Sequence, residues 1–189
     1  MIQRILRLLL RLINSFQFIF NRLPDDGKDL RTIYIMGNGP SLTDSLDIII
    51  RRDHSIPIVG VNDFILSPLS QELKPDYFVL LDPGYFTLNT KYVPKEQIEI
   101  NQQIIRSLNN VGWQMILLLP YHLKKEINDS FRITNPNISI RFFNTNNFNL
   151  VFNSNFFYKI NFAAPQMQNV LTAAIFLCTQ MRFKNIYFS

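Results

Sequence analysis

The sequence predicts an α/β fold, a Rossmann-like, mostly parallel sheet with helices on both faces, preceded by an N-terminal amphipathic helix. Three observations carry this reading. Short β-branched and aromatic runs alternate with helical stretches after residue 30. Strand and helix in alternation argue for a parallel sheet with crossovers on both faces. The length, 189 residues of which 47% are hydrophobic, suits one domain with a real core and is too short for two full-sized ones.

The elements follow in order. Residues 1–24 form a basic, strongly apolar helix. Arg4, Arg7, Arg11, Ser15 and Arg22 fall within about 80° of one another at the helical period, while Ile5, Leu8, Leu9, Leu12, Ile13, Phe16, Ile19, Phe20 and Leu23 cover the remainder. The arginines leave no apolar run longer than residues 8–10, so the segment does not span a bilayer. It also lacks a small-residue cleavage site. Two arrangements fit: a helix lying among headgroups with its arginines on anionic lipid, or one packed on the domain or on a second copy. Residues 25–30 read as a linker around Pro24, Asp25, Asp26 and Gly27.

The domain occupies residues 31–189. Strands are expected at 31–36, 56–61, 77–81, 115–119, 138–142 and 185–188. Helices are expected at 41–52, 94–109 with a proline in its first turn, and 165–181. Residues 144–161 stand apart, 7 of 18 being Asn and 4 Phe without periodicity, which reads as a low-complexity loop of AT-rich coding or as a lid.

Composition narrows the function. Seventeen Phe, 7 Tyr and a mean hydropathy near zero exclude a disordered chain. The net charge of +5 is localised: residues 1–24 carry four arginines and no acid, and the rest balances 15 bases against 14 acids. A nucleic-acid groove on the domain is therefore not expected. The single cysteine, Cys178, lies in an apolar helical stretch and fits a core role in a reducing, cytoplasmic compartment. With only His54 and His122 beside it there is no zinc cluster, and no metal is expected.

In an open α/β sheet ligands bind outside the carboxyl ends of the strands. The residues there are small and polar: Gly37, Asn38, Gly39, Pro40 and Ser41 after the first strand, Asn62 and Asp63 after the second, Asp82 to Tyr85 after the third, and Tyr121 and His122 after the fourth. Glycines ahead of a helix start suit a phosphate. The spacing matches neither a P-loop nor the dinucleotide fingerprint, since Leu42 stands where the third glycine belongs. An Asn-Gly turn with Ser41 capping the next helix explains the same residues structurally, and Asn62 and Asp82 also read as turn residues. No catalytic residue is assigned. His122, the one histidine in the crevice, is a candidate acid or base whose alternative is a surface helix start, and His54 reads as solvated.

Taken together, IYIMGNGPSL at 33–42, Asn62, PDYFVLLDP at 75–83 and NVLTAAIFLCTQMRFKNIYF at 169–188 resemble bacterial lipooligosaccharide sialyltransferases. They also resemble the related MptE-like family, whose archaeal members are 6-hydroxymethylpterin diphosphokinases. The first resemblance implies that Asn38 and Asn62 hold a nucleotide sugar such as CMP-sialic acid, that Gly37, Gly39 and Ser41 shape the loop, and that Asn169 lies near the nucleotide. Arg182 replaces a glycine usual in both families. Both families run past the last strand into a Gly-x-Asp segment, and the sialyltransferases place their catalytic histidine later still. The resemblance thus implies that the C-terminal part of the domain is missing, or that the chain is a nucleotide-binding remnant without catalysis.

The expectation is a nucleotide-sugar-dependent, sialyltransferase-like glycosyltransferase of surface polysaccharide or lipooligosaccharide assembly. It would have no cofactor, a glycan or lipid-linked acceptor, no nucleic-acid partner, and a peripheral place on the inner face of the cytoplasmic membrane through residues 1–23. The alternative is an MptE-like diphosphokinase moving diphosphate from ATP with Mg²⁺.

Overall fold

The computed structural model describes residues 2–20, 23–37, 39, 49, 53–87, 91, 93–148 and 154–188. Its centre is a six-stranded, wholly parallel sheet of β1 (Thr32–Met36), β2 (Ile58–Val61), β3 (Tyr77–Val79), β4 (Met115–Pro120), β5 (Ile138–Phe143) and β6 (Asn185–Phe188). The spatial order is β5-β4-β3-β2-β1-β6. The chain therefore steps outward from β1 to β5 and returns to the opposite side of β1, which makes the carboxyl end of β1 the point where the winding reverses.

The central strands are buried on both sides because side chains alternate between two cores. Met36, Ile58, Phe78, Leu80, Leu117 and Leu119 face one core with Ile104 and Leu108 of α4 (Lys95–Asn109) and Ile127 of α5 (Lys124–Ser130). Ile33, Ile35, Val59, Val61, Val79 and Leu118 face the other with Ala173, Ala174, Leu177 and Cys178 of α7 (Val170–Gln180). Burial holds the Cys178 thiol protonated, pushed up to about 12, so this cysteine is a core residue. Gly60 in β2 has a steric reason: a Cβ there would lie 2.5 Å from the Phe78 ring and 3.0 Å from Phe64.

Several segments differ from the sequence reading. Residues 27–30, read as linker, form one helical turn, α2 (Gly27–Leu30). Gly27 donates its N–H to the Met181 carbonyl at 2.9 Å, and a Cβ at Gly27 would lie 2.1 Å from Phe183 N, so only glycine permits this backbone approach. Short helices α3 (Pro68–Leu73) and α6 (Ser154–Lys159) were not expected, being too brief to show a period, whereas α5 continues the helical turn at 121–123 that agrees with the reading of His122 as a surface helix start. The helix expected at 165–181 starts only at Val170, where Asn169 caps it. The helix expected at 41–52 lies outside the described residues except for Ile49, which is helical and buried in the first core.

α1 (Ile2–Phe20) packs on the domain through Ser15 and Phe18, its two buried residues among those described, while Arg11 is exposed. Ser15, which groups with the arginines on the helical wheel, is fully buried and accepts a hydrogen bond from Asn146 Nδ2 at 2.9 Å. Asn161 Nδ2 donates to the Phe18 carbonyl, and the Phe18 ring packs edge-on against Tyr121. Leu6, Leu9, Leu10, Ile13, Phe16 and Phe20 face outward, with Ile13 64% and Phe20 82% exposed. Their spacing is one continuous helical stripe. The asparagines of residues 144–161 thus serve as fixtures: Asn144 is buried, with Nδ2 donating to the carbonyls of Asn161 and Phe162. No helix among the described residues is long and apolar enough to cross a membrane.

Candidate functional site

Parallel strands bring every β-to-α loop to one edge of the sheet, and adjacent strands lie roughly 4.8 Å apart. Gly37, Asn62 and Asp82, which follow neighbouring strands β1, β2 and β3, are therefore side by side. Gly37 is half-buried with its φ outside the left-handed region, and a Cβ there would meet only Val61 Cγ2 at an ordinary 3.6 Å. Packing against the described residues does not require glycine at this position. Gly39 is exposed. Asn38, Pro40 and Ser41, the remainder of the expected phosphate loop, lie outside the described residues.

Asn62 is the least comfortable residue at this edge. Its φ of 49° is left-handed, a region that Asn enters more readily than most residues but at a cost. Its Oδ1 is buried and has no hydrogen-bond partner among the described residues. An unpartnered buried acceptor forfeits on the order of 1–3 kcal/mol. Two local costs on one residue, at the strand end next to that of Gly37, describe a group kept for a ligand rather than for the fold.

The walls beside Asn62 are tied together. Asp63 Oδ1 accepts a hydrogen bond from the Tyr85 hydroxyl at 2.8 Å, joining the loop after β2 to the loop after β3. Burial, then the bond to Asp63, raises the Tyr85 pKa above its ordinary value, with the Asp63 and Asp82 charges adding to it. Asp82 itself is exposed and caps the turn at Pro83–Phe86, its Oδ1 accepting from Gly84 N at 2.7 Å. Asn101 of α4, absent from the sequence expectations, is fully buried and donates to the carbonyls of Gly84 at 2.7 Å and Thr87 at 3.0 Å. Its signal was available: Asn101 stands on the apolar stripe with Ile104 and Leu108.

Two other expected positions are less central. His122 follows β4 and lies two strands from Asn62, its Nδ1 2.8 Å from Thr145 Oγ1. Partial desolvation lowers its pKa, with Glu126 opposing, so the ring is neutral near pH 7. Asn169 begins α7 on the same edge, but its Oδ1 is committed to Thr172 N at 2.9 Å and Thr172 Oγ1 at 3.1 Å, which is a helix cap. Among the described residues no group of three or more His, Cys, Asp or Glu could hold a metal. Asp63 accepts from the Tyr85 hydroxyl, and the charge of Asp82 acts on the same group.

Fold and edge together define a doubly wound parallel α/β protein with a polar crevice at its reversal point. A family model described as 6-hydroxymethylpterin diphosphokinase MptE-like matches residues 6–189, and the chain belongs to this MptE-like family. No curated protein and no solved structure matches it.

Proposed function

We propose that this protein is a nucleotide-dependent transferase, with the nucleotide held at the carboxyl ends of β1 and β2 and a glycosyl group passed to an acceptor at a membrane surface. The observation that carries the nucleotide site is the buried, unpartnered Oδ1 of Asn62 in a left-handed backbone beside Gly37. An amide oxygen accepts from the ribose hydroxyls or the base amino group of a nucleotide, and Gly37 and Gly39, the described glycines of the loop after β1, bring bare backbone to the same edge for its phosphate.

The outward apolar stripe of α1 supports the acceptor side of the reading. A stripe of six large apolar residues on a helix rich in arginine suits an anionic bilayer surface, and lipid-linked glycans are presented there. A CMP-sugar donor carries one phosphate and can be held without a bridging metal.

A second reading follows the family description: diphosphate transfer from ATP, with Mg²⁺ held by Asp63 and Asp82, the two carboxylates that flank the Tyr85 hydroxyl. Calorimetry separates the two. The glycosyl reading expects CMP binding that persists in EDTA; ATP binding that requires Mg²⁺, with no CMP binding, establishes diphosphoryl chemistry instead.

A further inference from the structure

A second polar cavity lies at the same edge of the sheet, where β4 and β5 end under α1. Its volume is about 450 Å³, and Asn14, His122, Lys124, Lys125, Asn128 and Asn146 are among its lining residues. Among the described residues no carboxylate lines it. The ion pairs among the described residues are Lys28 and Arg182 with Asp25, so neither lysine of the cavity has an acidic partner there. Lys124 Nζ stands 5.5 Å from the Tyr121 ring centre and 5.3 Å from that of Phe142, which holds the ammonium in place without neutralising it.

The cavity wall is preformed. Asn144, buried behind it, is fixed to residues 161–162 and accepts from Asn146 N at 2.9 Å, and Asn146 in turn clamps α1 through Ser15. His122 spends Nδ1 on Thr145, while Nε2 makes no hydrogen bond among the described residues. Two ammonium groups without an ion-pair partner among the described residues, and amides from three separate segments, line one volume, with the Glu126 charge felt at His122 beside them. The shared chemistry they recognise is a compact oxyanion of high charge density.

We infer that this cavity binds a phosphate group, and that the phosphate is carried by the acceptor. The acceptor role rests on the transferase reading above; anion binding itself does not. The cavity and Asn62 are separated by β3, a span of roughly 10 Å across two strand spacings. That is about the reach of a sugar attached to a nucleotide phosphate, so the donor's transferable group would end beside the cavity. Asn14 belongs to α1, whose neighbours Leu10 and Ile13 are on the outward stripe, so the cavity opens next to the surface proposed to meet lipid.

The test uses the full chain. Inorganic phosphate and diphosphate are titrated by calorimetry, and vesicles containing phosphatidic acid are compared with phosphatidylserine vesicles of equal surface charge. The inference expects diphosphate binding that weakens at least tenfold in Lys124→Gln/Lys125→Gln and in Asn128→Asp, the latter placing a carboxylate at an exposed rim position without altering the core. CMP binding should be unchanged in both variants. A preference for phosphatidic acid that both variants lose supports a lipid-borne phosphate, and diphosphate binding without that preference supports a soluble phosphorylated acceptor. Absence of phosphate and diphosphate binding overturns the site. Loss of CMP and diphosphate together in the two variants overturns it as a separate subsite, whereas failure of CMP alone to bind overturns the nucleotide reading and leaves the anion site standing.

Discussion

The Tyr85 hydroxyl donates to Asp63 Oδ1 across 2.8 Å, bridging the loops that follow β2 and β3. Tyr85 is buried, so the bond is formed where water competes weakly, and it fixes Asp63 one residue from Asn62. Tyr85→Phe removes the donor and leaves the ring packing in place. It should lower stability by about 1.5–3 kcal/mol, the range for a bond to a charged acceptor. Urea unfolding measures the loss, and a change below about 0.5 kcal/mol would show that the bridge does not hold the loops.

Gly60 offers a packing test. A Cβ added there meets the fully buried Phe78 ring at 2.5 Å, and this ring cannot swing away inside a filled core. Gly60→Ala should therefore destabilise by about 1–3 kcal/mol despite the better strand propensity of alanine. A midpoint shift in denaturant without a change in slope is the expected signature.

Asn62 should separate stability from function. Asn62→Gly relieves the left-handed φ and deletes a buried acceptor that has no partner among the described residues. The unfolded chain gains freedom from the new glycine, which offsets part of this. Stability should rise by roughly 1 kcal/mol or stay level. A clear loss of stability, read by thermal unfolding, would mean that the Asn62 side chain supports the fold.

Much of the fold was legible because the strands are apolar runs rich in β-branched and aromatic residues, and all six begin and end within two residues of expectation. The crevice was legible too, since parallel topology sends every small polar loop to one edge. What stayed hidden depends on distant partners. Asn144 and Asn161 read as low-complexity sequence, yet they are buried against residues far along the chain, and no local pattern encodes that. The inward burial of Ser15 was equally hidden, because the wheel groups it with arginines while its partner, Asn146, is 131 positions away.

The outward stripe of α1 should carry membrane attachment. Leu9→Ser, Ile13→Ser and Phe20→Ser combined remove apolar surface that is exposed in the structure, so the fold should be unaffected. Their burial at a bilayer contributes on the order of 3 kcal/mol, and vesicle binding should weaken about a hundredfold. Raised salt should weaken the arginine share in the wild type. Co-sedimentation with anionic vesicles reads both, and wild-type protein that never sediments would contradict the membrane reading.

The central claim is that the carboxyl ends of β1 and β2 hold a nucleotide through Asn62. Calorimetric titration of CMP and of ATP with Mg²⁺ into the wild type and Asn62→Gly tests it most directly. The wild type should bind one of the two nucleotides, and the variant, folded and no less stable, should bind it at least tenfold more weakly. Equal binding by both proteins, or binding of neither nucleotide by the wild type, would contradict the account.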